Sequence, residues 1–470
     1  MSRALSLLLF ILLGAPLSAQ PDSTRLLTLG DFYAYLGAYH PILKQADQFD
    51  ELFDGQRLEA FGEIFDPVVM GDWRRKDYKD IDYWDDLAIK GKVPTPFGVD
   101  LIGGYDIADG TYLSDERANL EQGLAYFGIG VPIGPELIVN RRWNILQQAR
   151  LLPQMAEAER QKLATKLFLN ATKDYLQWQK AYQLYEIAQF GVQIADSSLR
   201  IVRRMYETGA MARIDTVEAF LALQQRETAL QVSEYELEAA RQLMSVHLWT
   251  PTGEPMELNP NLIPPPIPAT LPVITTQVRD SLLVVADTSH PELQKLSIKQ
   301  QQLTFERRYR TVNLWPSANF EYQPLLSPQE PEWDAAFNGQ NYKFGLSFYI
   351  PLTSMKKRGK LAQVRAKLEQ TQFELQQLDI FVDRSILAAW ISARGVRDAW
   401  AVQQRTVDAA QTMFEGELAK FRAGTSELFK VLYRQMVVLK EQENLSKLTA
   451  EFYKSRAELY YNAGAFPPLD

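Results

Sequence analysis

Apolar residues recur along this chain with two different periods, and the two predict different elements. Ahead of Pro132, Phe127, Ile129 and Val131 alternate with Tyr126, Gly128 and Gly130. Ahead of Pro351, Phe344, Leu346, Phe348 and Ile350 alternate with Gly345, Ser347 and Tyr349, and Ala318, Phe320 and Tyr322 alternate with Asn319 and Glu321. A period of two puts apolar side chains on one face of a strand and small or polar ones on the other, which suits a membrane β-barrel wall and equally a half-buried soluble sheet. Elsewhere the spacing alternates between four and three. Val364, Leu368, Thr371, Leu375, Leu378, Val382, Ser385 and Ala389 follow it, as do Tyr175, Trp178, Tyr182 and Tyr185. That is coiled-coil spacing, near 3.5. Between about 136 and 208 the only proline is Pro153 and the only glycine Gly191; from about 355 to 422 only Gly359, Gly395 and Gly416 interrupt. At 1.5 Å per residue these segments predict helices roughly 100 Å long, beyond what a globular domain uses.

The same series of signals occurs twice. His40-Pro41-Ile42-Leu43 returns as His290-Pro291-Glu292-Leu293, and Phe65-Asp66-Pro67 as Leu314-Trp315-Pro316. The alternating segment ending at Pro132 returns as the one ending at Pro351, and the segment from Arg203 to Gly209 returns as Leu418 to Gly424. His40 to Pro67 spans 27 positions and His290 to Pro316 spans 26; Pro132 to Gly209 spans 77 and Pro351 to Gly424 spans 73. Self-similarity in fixed order marks a duplicated unit. Each unit reads as helix, strand pair, very long helix, turn and helix. Proline after histidine fits the first helical position, where a missing N–H costs nothing. Gly209 and Gly424 fit the position just past a helix end. A helix over about 31–63 plus one over about 215–249 sums close to the long helix, so two short helices stacked end to end can run beside one long one.

Chain organisation follows from the repeat. Residues 1–19 read as a secretory signal peptide, with Arg3 before an apolar run from Leu5 to Leu13 and small residues from Ala15 to Ala19. Residues 20–250 form the first repeat, 251–285 a Pro-rich linker, 286–465 the second repeat and 466–470 a tail. The interval between strand signals is 65 residues in repeat one and 35 in repeat two. The extra residues fall between about 74 and 123, in a stretch rich in Tyr, Trp and Asp. It is read as a long extracellular loop, with an extra barrel hairpin as the alternative, since 97–105 has the pattern of a further strand.

Composition narrows the function. The formal charge is −8, so the chain is a poor nucleic-acid binder. It contains no cysteine, hence no disulfide framework. Its three histidines are His40, His247 and His290, and two of them sit in the repeated helix-entry motif. No cluster has metal-ligand spacing, and no nucleophile elbow, P-loop or dinucleotide fingerprint occurs. No enzyme activity and no cofactor are expected. Past the leader no window is apolar enough to span a bilayer as a helix. A second class, a periplasmic coiled-coil adaptor without a barrel, shares the long helices, but not the alternating strands or the duplication of the whole chain.

The paired His-Pro-x-Leu entries, the two strand pairs and the two Tyr/Phe-x-x-Gly turns together resemble the TolC-like outer-membrane factors over nearly the whole mature chain. The resemblance implies an α+β membrane protein with a long coiled-coil α-helical barrel joined to a transmembrane antiparallel β-barrel. It also implies an internal two-fold repeat closed by homotrimerisation. Three chains of four strands would make twelve. The implied role is the exit duct of a tripartite efflux or type I secretion system in the outer membrane, reaching into the periplasm. Implied partners are outer-membrane lipid, a periplasmic adaptor (membrane fusion) protein and an inner-membrane pump. In that family, charged and aromatic residues beside the turn glycines hold the periplasmic entrance shut. By position these are Tyr206, Gly209, Asp215 and Glu218 in repeat one and Phe421, Gly424, Lys430 and Tyr433 in repeat two. The pattern departs at Ser426, where a base is expected, and at Lys430, where an acid is expected. Asp215 and Lys430 are therefore expected to pair across the closed entrance.

Overall fold

A computed structural model of the chain describes residues 25–467 except Pro96, Asn119, Ile267, 328–338 and Pro351. The segment read as a signal peptide and Pro351 thus lie outside the described residues. In repeat one, helices α1 (Leu29–Tyr39) and α2 (Pro41–Phe65) lead into strands β2 (Val68–Tyr78), β3 (Ile81–Pro94), β4 (Asp100–Asp109) and β5 (Leu124–Ile133). A short helix α3 (Asp115–Ala118) lies between β4 and β5. Helices α4 (Arg141–Ala149), α5 (Leu152–Glu207) and α6 (Arg213–Ser245) follow. Repeat two runs α7 (Thr276–Ser289), α8 (Pro291–Val312), β7 (Ser317–Leu326), β8 (Tyr342–Tyr349), α9 (Met355–Arg422) and α10 (Leu428–Asn462). A two-residue strand β1 (Arg25–Leu26) pairs in parallel with β6 (Leu262–Ile263), tying the described N-terminal end to the connector between repeats.

The duplication is visible element by element: α1 and α7, α2 and α8, α5 and α9, and α6 and α10 occupy equivalent places. Helix α9 is unbroken over 68 residues, about 100 Å. Its counterpart is split, because Pro153 sits in the first turn of α5 and cannot continue α4. The helix expected over 31–63 is likewise two helices, hinged at His40. His40 has extended backbone, closes α1 and caps α2: its Nδ1 accepts from the Ile42 N–H at 3.1 Å, and Pro41 takes the first helical position. His290 and Pro291 build the same joint between α7 and α8, without the side-chain cap. Helix α7 begins inside the stretch assigned by composition to the linker.

Each joint packs on the middle of a long helix. Phe32 and Leu36 of α1 meet Tyr175 and Trp178 of α5 and Met244 of α6, all essentially inaccessible. Leu282 and Ala286 of α7 meet Val382, Ile386 and Trp390 of α9 and Leu459 of α10. The heptad positions Val364, Leu368 and Thr371 are buried as their spacing predicts, and beyond Val382 the seam moves to Ile386, Trp390 and Ala393. A straight helix has 3.6 residues per turn, so a fixed 3.5 seam drifts around it. Helix α5 joins the two repeats, with Lys295 of α8 bonded to its Glu159 at 2.6 Å and Glu458 of α10 to its Lys173 at 2.7 Å. Near the turns the helices stand in the order α9, α10, α5, α6; near the sheet they stand as α2, α5, α8, α9. The arc ends in helices with one unpartnered side. Among the described residues no helix is long and apolar enough to cross a membrane.

The sheet is a six-stranded antiparallel meander, β2-β3-β4-β5-β7-β8. The reading of residues 74–123 as a loop is therefore corrected: most of the stretch lies in β2, β3 and β4. Strand β2 ascends from α2 and β5 descends to α4, as β7 ascends from α8 and β8 descends to α9. The pair β3–β4 is inserted between β2 and β5 and has no described counterpart in repeat two. Ile81 to Asp109 is 29 residues, which accounts for all but one of the 30 residues by which the two intervals differ. At the tip of the β2–β3 turn, Lys79 and Asp80 both take left-handed φ, as a tight two-residue hairpin turn requires.

Candidate functional site

Two features can act on something outside the chain: the wall formed by the sheet and the two helical turns at the far end. The wall follows from register. Opposed residues across the meander share a face, so Trp73, Leu87 and Ile107 form one row, and Gly71, Ile89, Tyr105 and Ala125 another. Val93, Leu101, Ile129, Tyr322 and Phe344 continue a third, and Val131, Phe320 and Leu346 a fourth. The other face carries Asp86, Lys90, Lys92, Asp100, Asp106, Glu321, Gln323 and Lys343. One face is thus apolar across all six strands and the other polar. On β2 to β4 the apolar face stops at one level, where Arg75 stands opposite Asp85 and Asp85 opposite Asp109. Just below that level Trp73 donates its indole N–H to Asp85 at 2.8 Å, a rim position suited to an amphipathic ring. The apolar side chains are open to solvent in a single chain: Val69 is 75% exposed and Phe348 69%. An unpaired, apolar-faced sheet of this extent marks a surface that another phase or another copy covers.

The polar face has structure of its own. Tyr126 crosses the face of Gly104, its directly opposed residue, where a Cβ would stand 2.4 Å from the phenol oxygen. The segment bearing α3 reaches this face near the outer rim: Arg117 donates to Asp86 at 2.7 Å, and Asp86 is buried. At the opposite rim Lys92 and Arg142 both bond Asp100, fastening the β3–β4 hairpin to the first turn of α4.

The two far turns have one geometry. Helix α5 ends with the Gly209 N–H donating to the Tyr206 carbonyl at 3.0 Å and the Ala210 N–H to Met205 at 2.9 Å. Helix α9 ends with Gly424 donating to Phe421 and Thr425 to Lys420, both at 3.0 Å. Both glycines have φ near +75°, Gly209 at 75° and Gly424 at 73°. This is the Schellman arrangement, in which two orphan carbonyls are satisfied and the residue past the cap must be left-handed. The sequence reading of both glycines as helix ends is met.

The remaining residues expected at the entrance separate into two groups. Asp215 is spoken for locally: its Oδ2 accepts from the Ala212 N–H at 2.9 Å, closing the first turn of α6. Phe421 packs with Leu199, Val202, Leu223 and Leu428 in the core that joins the two hairpins. Tyr206, Lys430 and Tyr433 are exposed, and Glu218 is half-buried. Lys430 lies 3.6 Å from Glu427 of its own helix, and Tyr433 stacks on Phe429. Within one protomer Asp215 and Lys430 do not pair among the described ion pairs. Glu417, Lys420 and Arg434, absent from the sequence reading, complete this end beside Ser426 and Lys430. Ser426 donates to Glu417, and that bond, with Lys420, Lys430 and Arg434 nearby, holds the Glu417 carboxyl below its ordinary range. Their signal was the base-rich composition around Gly424. Among the described residues no group of His, Asp and Glu could hold a metal ion. His40, His247 and Asp174 do come together, with His247 Nε2 bonding Asp174 at 2.7 Å, but inside the α1–α5–α6 core.

Residues 288–465 match the family model described as Outer membrane efflux protein. No curated protein sequence matches the chain. Solved structures do, over nearly its full length. The outer-membrane channel OprN superposes with a TM-score of 0.65 at 16% identity, covering 93% of this chain and 90% of that one. The outer membrane protein VceC from Vibrio cholerae gives 0.65 at 13% identity, covering 94% and 97%. The MtrE outer membrane channel of Neisseria gonorrhoeae gives 0.63 at 12%, covering 94% and 90%. The second repeat thus carries the outer membrane efflux protein signature, and the chain around it has the fold of outer-membrane channels.

Proposed function

We propose that this protein is an outer-membrane efflux channel, the exit duct through which substrates delivered from the periplasmic side leave the cell. The observation that carries this reading is a sheet with one apolar and one polar face, continuous with an arc of helices about 100 Å long. A lipid-facing wall needs the first, and a conduit across an aqueous compartment uses the second. A sheet with two open edges cannot sit in lipid, where each unpaired backbone group costs several kcal/mol. Closure by rotational symmetry removes the edges. Three copies, as the family resemblance implies, would close the four-helix arc into a ring of twelve helices. A soluble adaptor has no use for the apolar face, which sets that reading aside.

In this account the chain does no chemistry. Energy and substrate choice come from an inner-membrane pump engaged through a periplasmic adaptor, and the two Schellman turns form the periplasmic entrance. The entrance closes by pairing Asp215 of one protomer with Lys430 of another. Asp215 has one carboxylate oxygen outside its helix cap, and the Lys430 ammonium is on an exposed side chain. Membrane fractionation followed by gel electrophoresis with and without heating tests the reading. A detergent-resistant, heat-modifiable trimer in the outer membrane that conducts ions in planar bilayers is expected. A soluble periplasmic monomer would overturn it.

A further inference from the structure

The twelve-strand count expected from two strand pairs per chain does not fit a protomer that supplies six. Strands β3 and β4 each have both edges occupied, so the two free edges of the main sheet are β2 and β8. Strand β2 runs away from the helices and β8 runs toward them, so β8 of one copy is antiparallel to β2 of the next. The inserted pair is built as wall and not as appendage. Its apolar rows, Leu87 with Ile107, Ile89 with Tyr105 and Val93 with Leu101, line up with those of β5, β7 and β8. Its lower turn is fastened at the level where the other strands meet helices: Thr95 N–H donates to Val99 at 2.9 Å, and Arg142 of α4 holds both Asp100 and the Thr95 carbonyl. Charged residues that would be expelled from lipid, Arg75, Asp85 and Asp109, begin at one level.

We infer that three copies close a single eighteen-stranded barrel, with β2 of each protomer zipped to β8 of its neighbour. The inference rests on the channel reading above and adds the wall's composition and width. Barrel diameter grows roughly linearly with strand number. With strands about 4.8 Å apart and tilted about 40°, twelve strands give a backbone diameter of about 24 Å and eighteen about 36 Å. The outer-membrane end of the duct is therefore wide enough to pass bulky cargo unless something narrows it. The segment bearing α3 lies on the lumenal face, held by Arg117 on Asp86, and serves as that restriction.

The chain has no native cysteine, so introduced thiols are its only ones. Val69→Cys, Gly71→Cys or Trp73→Cys on β2 is combined with Phe344→Cys, Leu346→Cys or Phe348→Cys on β8 in the full-length protein in native outer membranes. Oxidation with copper phenanthroline should give covalently linked trimers on non-reducing denaturing gels for the pairs in register. These residues stand on opposite edges of one chain, so a link between them is intermolecular. A second variant excises Ile81–Asp109, leaving β2 to pair directly with β5. Measured against a parent carrying Arg117→Ala, so that the lumenal restriction is released in both, the diameter of neutral polymer admitted from the barrel side should fall by about one third or more. No β2–β8 link in any combination, with the trimer intact in the outer membrane, would overturn the eighteen-strand wall while leaving the channel reading standing. An unchanged polymer cut-off after excision would overturn it equally. Absence of an outer-membrane trimer would refute the channel reading and this inference together.

Discussion

Lys430→Ala is the sharpest test of how the duct stays shut. In one protomer Lys430 is 56% exposed and its nearest acid is Glu427 at 3.6 Å, so the residue contributes little to the fold. An exposed ion pair is worth about 0.2–1 kcal/mol. The proposed trimeric entrance would contain three copies of the Asp215–Lys430 pair, and the substitution would remove all three together. The closed state then loses about 0.6–3 kcal/mol, which raises the open-to-closed ratio by about threefold to about 150-fold. Single-channel recording in planar bilayers reads this as open probability. Salt provides an internal control: the Debye length is about 10 Å at 0.1 M and about 3 Å at 1 M, so the parent and the variant should converge at 1 M. Glu427→Gln frees Lys430 from its own helix and should shift the equilibrium toward closed. Asp215→Ala is a less clean probe, because it also removes the α6 cap at a cost of about 1 kcal/mol. Equal open probability for the parent and Lys430→Ala at 0.1 M salt would refute the latch.

Burial, with the His247 ring beside it, pushes the His40 pKa from 6.5 down to about 4. The folded state therefore favours the neutral ring, which the cap on Ile42 also requires. Its contribution is complete above about pH 6.5 and is lost as pH falls toward 4, at most about 3 kcal/mol per protomer. His40→Asn keeps a cap acceptor without titrating and should flatten the fall in trimer melting temperature between pH 7 and 4.5; an unchanged slope would count against it. At Gly209 and Gly424 a Cβ would meet nothing within 4 Å. Gly209→Ala and Gly424→Ala should thus cost only the left-handed backbone penalty, about 1–2 kcal/mol each, read as faster hydrogen exchange confined to the two turns. Exchange spreading to the Trp178 core would contradict that local accounting. Arg117→Ala frees the α3 segment from Asp86 and should admit large hydrophilic antibiotics from outside, measured as lower inhibitory concentrations; unchanged susceptibility in cells with normal channel levels would argue against a lumenal restriction.

The legibility of this chain differs by element for identifiable reasons. The long helices were readable because their period persists: no competing arrangement keeps Val364, Leu368, Thr371 and Val382 on one side for so many turns. Their ends were readable because left-handed φ selects glycine at Gly209 and Gly424. The breaks were less so. His40-Pro41 signals a helix start, yet the helix before it, α1, is too short for its own period to stand out from that of α2. Strand β3 was hidden by composition, and β4 showed only as the strand pattern over 97–105, set against a loop reading. Lys90 and Lys92 face the polar side beside Gly91, and Asp106 sits between Tyr105 and Ile107, so charge and glycine looked like loop chemistry. Alternation on Leu87, Ile89 and Val93 was present, but a strand inserted once has no partner in the other repeat to confirm it. The two turns proposed as the entrance were legible only in their backbone. Spacing from Gly209 and Gly424 located the residues, while whether each side chain is free depends on local bonds that spacing does not encode. Asp215 caps its own helix and Phe421 is drawn into the core between hairpins.

That last difference bears on how a duplicated channel diversifies. The two repeats must present matching helix seams, because α5 and α9 both pack against neighbours along their length, and a change in either period would break the arc. The loop ends of the strands carry no such constraint. A hairpin added between β2 and β5 keeps its neighbours' direction, since two antiparallel strands leave β2 ascending and β5 descending as before. Register constrains it further. The added pair must repeat the alternation of the strands beside it, and Leu87, Ile89 and Val93 facing Ile107, Tyr105 and Leu101 do so. It must also end where the helices begin, which Arg142 on Asp100 secures. An insertion that met the first condition alone would tilt out of the wall and expose Lys90 and Lys92 to lipid, at several kcal/mol per charge at the bilayer midplane. In the proposed trimer, meeting both would let the barrel widen by a strand pair per protomer while the helical tube below kept its twelve-helix girth, so that width at the outer membrane and closure at the entrance could change independently.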